Sequence, residues 1–189
     1  MNQVTFPLPR PDGRPGLRAA EWLALAEREA TAQEARIALA LATGIDDEEL
    51  LEGLRRLGVS PRTLPALELV PAILVGWADG MMSRLERDRL RVRALVRGVS
   101  EAHAAWPVLQ HWMLQPPSAE DGQVLLAGLR ARLERLPVRA RGKKAKGLLQ
   151  DCEAVARAAG HMLGGPRVSR AEREMLSQVA AHLGATAES

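Results

Sequence analysis

Asp79, Ser83 and Glu86 bracket a glycine turn and the start of the segment after it. Hard divalent cations take several oxygen ligands, so two carboxylates and a hydroxyl at this spacing make a candidate cation site. The same residues also have a purely structural use. Ser83-x-x-Glu86 is a capping box, in which the hydroxyl accepts the Glu86 N–H and the Glu86 carboxylate accepts the Ser83 N–H. Asp79 then serves the turn. Both readings stand at this level. A second box, Ser169 with Glu172, repeats the pattern. The alternating acidic ligands of an EF-hand loop are absent.

Transition-metal chemistry has less to build on. His103 and His111 are separated by Pro107, and Cys152 and His161 share a helical face only approximately. No Cys-x-x-Cys, His-x-x-x-His or His-Glu-x-x-His spacing occurs, so zinc is not expected. No Gly-x-Ser-x-Gly elbow occurs, and the stretch RGKKAKG from Arg141 lacks the P-loop spacing. The chain is expected to be no enzyme. His161, before a glycine turn, is expected at a helix end, and Cys152 as a small buried residue in a reducing compartment.

Two basic runs are candidates for contact with phosphates or anionic headgroups. One holds Arg84, Arg87, Arg89, Arg91 and Arg93. The other holds Arg139, Arg141, Lys143, Lys144 and Lys146. With 3% aromatic residues there is no stacking platform for single strands, and nucleic acid is not the expected partner. Arg141, Lys143, Lys144 and Lys146 are the preferred protein-contact residues. Trp22, Trp77, Trp106 and Trp112 are expected in packing. A further option puts Trp106 and Trp112 on a groove for a partner helix.

The elements that must position these residues are helices. Of 189 residues, 47% are apolar and 26% charged, with one Phe and no Tyr. Leu, Ala, Arg and Glu in bulk favour helix, and strand-type clusters are missing. An all-α fold follows. Net charge is only +3 despite a pI near 9.7, which gives little pull toward a polyanion. No apolar run is long enough to span a bilayer, and the start lacks a leader pattern, so a cytoplasmic location is expected.

Residues 1–16 hold four prolines and read as an extended arm, and 185–189 as a tail. Between them, helices are predicted over about 17–43, 46–58, 64–78, 83–97, 101–114 (interrupted at Pro107), 118–136, 139–163 and 169–183. The segment 64–78 is apolar all round and should be central. Glu68 within it should sit at a helix boundary or pair with an arginine.

These eight helices carry a repeat. SRLERDRL from Ser83 matches SRAEREML from Ser169, and LLEGLRRL from Leu50 matches LLAGLRAR from Leu125 with glycines at Gly53 and Gly128. A repeated glycine inside a helix implies close helix–helix approach. The offset is 75 residues at the glycines and 86 at the boxes, which implies an 11-residue insertion near 139–147. Two packed four-helix repeats, about 17–99 and 100–184, are expected within one domain, 17–184. Arg93 and Arg97 stand where Val179 and Leu183 do.

The stretch LVPAILVGWADGMMSRLERDRL from Leu69 resembles the signature of the TerB-like tellurite-resistance family: an apolar helix, Ala-Asp-Gly, then a Ser-x-x-Glu box. VARAAGHMLGGPRVSRAERE from Val155 is similar to the later part of that domain. The resemblance implies an all-helical cytoplasmic stress-response domain that binds a divalent metal ion and works beside protein partners, some membrane-associated. Asp79, Glu86 and Glu172 match the family's acidic positions. Gly165 stands where a second Asp79 would, which argues against two symmetric metal sites. The alternative is a metal-free adaptor that uses an inter-repeat groove or the basic helix face.

Overall fold

A computed structural model describes residues 19–159 and 168–184. The arm, the Gly164-Gly165-Pro166 turn, His161 and the tail lie outside the described residues. All described secondary structure is helical: α1 (Ala19–Thr43), α2 (Glu48–Arg56), a 3-10 segment (Leu64–Leu69), α3 (Val70–Gly76), α4 (Arg84–Val96), α5 (Trp106–Leu114), α6 (Ala119–Glu134), α7 (Val138–Ala159) and α8 (Arg170–His182). Contacts divide the chain into two units, Met1–Ala35 and Arg36–Ser189. In the first unit, the described side chains of α1 are almost all exposed. The second unit carries the core.

Local chemistry sets most helix ends. Asp47 caps α2 through the Leu50 N–H at 3.0 Å, and Ser118 caps α6 through the Asp121 N–H at 3.0 Å. Gly44 closes α1 with φ 67° and Gly80 closes the turn before α4 with φ 90°, a conformation that costs glycine least.

Prolines account for two departures from the sequence reading. The apolar segment 64–78 is not one α-helix but a 3-10 turn followed by α3, with Pro65 and Pro71 each at the start of a piece. A proline lacks the N–H that an interior turn needs and is tolerated in the first turn. For the same reason Pro107 does not interrupt α5. It opens it, and residues 101–105 are turns.

The apolar segment is central as expected: Ala66, Leu67, Leu69, Ile73 and Val75 are wholly buried. Around it, α3 packs against α7, α8, α6 and α4, while α2 packs on α6 and α4 on α7. The glycines explain the α2–α6 contact. A Cβ on Gly53 would lie 2.9 Å from Val124 Cγ1, and one on Gly128 would lie 2.7 Å from Leu54 Cδ2. Each helix therefore presses a branched side chain onto the other's glycine. Trp106 and Trp112 are core residues, 8% and 3% exposed, so they do not line a surface groove. Trp77 is only partly buried and donates its Nε1–H to the Trp112 carbonyl at 2.9 Å.

Candidate functional site

Both capping boxes form in full. Ser83 Oγ accepts the Glu86 N–H at 3.2 Å, and Glu86 Oε2 accepts the Ser83 N–H at 2.7 Å. At α8 the corresponding distances are 3.1 Å and 2.5 Å for Ser169 and Glu172. Each bond satisfies a backbone donor that the helix start leaves orphaned. The sequence does not reveal how deeply these ends sit. Glu86 and Glu172 are each only 3% exposed.

Burial costs a carboxylate its hydration. It pushes the Glu86 carboxyl up from its ordinary value against the lowering effect of the Ser83 bonds, and the negative charges of Glu172 and Asp79 push it further the same way. The three acids named from the sequence therefore share one electrostatic neighbourhood, although Glu172 is 86 residues beyond Glu86. Asp79 is exposed and accepts the Met81 N–H at 3.2 Å. Glu172 Oε1 is buried and has no hydrogen-bond partner.

Among the described residues, Glu52, Glu68, Asp88, Glu134, Asp151, Glu153 and Glu174 all pair with Arg or Lys, and no such pair reaches Asp79, Glu86 or Glu172. Glu172 and Asp79 both add to the upward push on Glu86, and no described Arg or Lys forms an ion pair with any of the three. Among the described residues, no three His, Cys, Asp or Glu side chains stand close enough to grip one ion jointly. The arrangement is an acidic neighbourhood around two helix starts rather than a closed coordination shell. Its orphaned Glu172 oxygen and its oxygen-only chemistry suit a hard cation.

The basic candidates separate. Lys144 pairs with Glu68 at 2.6 Å and keeps 36% of its side chain exposed. Arg141 donates to the Glu134 carbonyl at 3.1 Å, while Lys143 and Lys146 are exposed. Arg141 and Lys146 edge a groove of about 910 Å3 between α7 and α8, floored by Ala145, Leu149, Leu176 and Leu183. In the other run, Arg87 turns back to the Met82 carbonyl at 2.7 Å and Arg93 faces Asp151 at 3.4 Å. Arg84, Arg89 and Arg91 remain exposed.

Glu68 is paired as expected, by Arg97 at 3.0 Å and by Lys144. Arg97 also binds Asp151 through Nε at 2.7 Å and through Nη2. Asp151, 6% exposed, was missed from sequence. Its available signal was the pair of arginines that replace apolar residues in the repeat. Cys152 is wholly buried, and burial drives its thiol well above the ordinary value, which makes it a poor nucleophile. His103 accepts the Ala105 N–H through Nδ1 at 3.0 Å and serves a turn.

No protein-family model, curated protein or solved structure matches the chain.

Proposed function

We propose that this chain is a non-enzymatic cytoplasmic stress-response module of the TerB-like kind that binds a divalent cation beside Asp79, Glu86 and Glu172. The observation that carries the reading is that buried Glu86 feels the negative charges of Glu172 and Asp79 with no ion pair to a described Arg or Lys, while Glu172 has a buried, unpartnered oxygen. Glu86 and Glu172 each spend one oxygen on a capping bond, which leaves the other for the ion or its water. Asp79, being exposed, is the residue that can move to complete the set. Direct contact with all three is not required, because Mg2+ keeps several of its waters when it binds carboxylates. Bound there, the ion would supply charge neutralisation between the starts of α4 and α8.

The two-repeat architecture belongs to the same proposal. Its support is the reciprocal glycine contact of α2 with α6, and the packing of α3 on α8 alongside α4 on α7. These are the pairs a duplicated hairpin would place about a two-fold axis. Equilibrium dialysis of the whole chain against Ca2+, Mg2+ or Mn2+ tests the cation. Bound metal is expected in the natural protein and absent in Asp79→Asn/Glu86→Gln. Equal metal content in the folded variant would count against the site.

The adaptor reading keeps one specific support, the apolar floor and basic rim of the α7–α8 groove. It expects partner capture that survives chelator and is lost in Arg141→Glu/Lys146→Glu. Tellurite resistance as the physiological setting rests on the resemblance alone.

A further inference from the structure

The outer side of α4 carries more exposed apolar surface than its role in the bundle needs. Leu90 and Ala94 are wholly buried and seat the helix. On the opposite side Leu85, Val92, Leu95 and Val96 are 39%, 49%, 59% and 74% exposed, and Met81 just before the helix is 73% exposed. Leu85, Val92 and Val96 follow helical spacing and form one stripe, about 16 Å long at 1.5 Å per residue. Arg89 lies along the stripe, and Arg84 and Arg91 border it. All three are exposed. The only acid on this side is Asp88, 3.8 Å from Arg84 and 3.6 Å from Arg91, so the face keeps a positive excess.

Contiguous apolar surface rimmed by charge marks an interaction site, and charge and shape narrow the occupant. Pairing this face with its copy across a two-fold axis would bring arginines against arginines, which opposes a dimer here. The partner must therefore be anionic. The face lies outside the grooves at α3–α6–α8 and α7–α8, neither of which includes an α4 residue. An exposed helix face with an apolar stripe and cationic flanks has the pattern of a helix that lies on an anionic membrane surface. An amphipathic helix on a membrane buries its apolar side at the headgroup boundary while basic side chains reach lipid phosphates. No described helix is long and apolar enough to cross a bilayer, so attachment would be peripheral.

We propose that α4 docks the chain on an anionic lipid surface, with Leu85, Val92, Leu95 and Val96 entering the interfacial layer and Arg84, Arg89 and Arg91 meeting lipid phosphates. The proposal is independent of the cation reading, and its test is run in chelator.

The test is flotation of the whole chain with phosphatidylserine–phosphatidylcholine vesicles and with phosphatidylcholine vesicles alone. Binding is expected only to the anionic vesicles, weakened by raised salt. Arg84→Gln/Arg89→Gln/Arg91→Gln should weaken it at least about tenfold, since each basic residue near such a surface contributes on the order of a fivefold factor. Val92→Asp/Val96→Asp should weaken it comparably, with melting temperature as the check on folding. Lys143→Gln/Lys146→Gln on α7 should leave it unchanged. Absence of binding, binding retained in both α4 variants, or binding lost only in the α7 variant would each overturn the proposal. So would self-association abolished by Val92→Asp/Val96→Asp without any vesicle binding, which would assign this face of α4 to a second copy.

Discussion

Glu86 is harder to ionise in its fold position because burial strips its carboxyl of water, and the Glu172 carboxylate adds to that push. The first-turn carboxylates of α4 and α8 are both buried. Two residues whose sequence context explains them fully as helix caps thus acquire an electrostatic relationship that capping does not need. The proposed cation would neutralise that relationship.

Glutamine separates capping from charge. It serves a capping box as glutamate does, so Glu86→Gln/Glu172→Gln should keep both helix starts while removing the repulsion. The metal-free double variant is expected to melt at or above the natural protein, whereas Glu86→Ala should lose about 1 kcal/mol with the cap. Chemical denaturation in EDTA reads both.

Acidity gives a second handle. Because Glu86 has its folded-state value raised, its protonated form favours the native state. Its contribution is fully present below the unfolded carboxyl value and is lost as pH rises through the folded one. The advantage in melting temperature of Glu86→Gln over the natural protein should therefore be largest near neutrality and shrink as the solution is acidified toward the ordinary glutamate range. A difference independent of pH would mean that Glu86 is not destabilised by its charge.

The buried ion cluster behaves differently. Arg97 holds Asp151 and Glu68, with side-chain exposures of 15%, 9% and 14%. Arg97→Leu leaves Asp151 with only the 3.4 Å contact to Arg93, while Lys144 still serves Glu68. A loss of about 3 kcal/mol is expected. Arg97→Leu/Asp151→Leu should recover most of it, since apolar residues stand at the Arg93 and Arg97 positions in the other half of the chain. Urea unfolding of the two variants checks the cycle.

What was legible in the sequence was local. Capping boxes and turn glycines act within four residues, so Ser83, Ser169 and Gly80 declared their roles. Gly53 and Gly128 also announced a close approach, because a repeated helix-breaking cost requires a packing reason. The short-range effect of Pro65 and Pro71 was available but was outweighed by the apolar pattern around them, and Pro107 was read as an interruption of its helix rather than as its start. The Arg97–Asp151 pair spans 54 residues, and the Glu86–Glu172 proximity depends on how two helix starts are brought together. The first left only its arginine side visible, where the other half of the chain has apolar residues, and the second leaves no local trace. The exposed apolar stripe of α4 was hidden for a related reason, since a Leu or Val at helical spacing reads as core until burial is known.

The α2–α6 contact predicts an asymmetry between its glycines. Alanine gains about 1 kcal/mol of helix propensity over glycine at either site. At Gly128 the new methyl meets Leu54, which is wholly buried and has nowhere to go, and overpacking costs about 1–3 kcal/mol. At Gly53 it meets Val124, which is only partly buried. Gly128→Ala should destabilise, Gly53→Ala should be near neutral, and Gly128→Ala should be tolerated when Leu54 is also shortened to valine. Thermal melts of the three variants decide it.

The cation claim is tested most directly by calorimetric titration of Ca2+, Mg2+ and Mn2+ into the metal-free chain and into Glu86→Gln/Glu172→Gln. Saturable binding of one ion to the natural protein, weakening at acid pH and lost in the folded glutamine variant, is the expected result. No heat of binding to the natural protein, or equal binding to both, would contradict a cation site between these two helix starts.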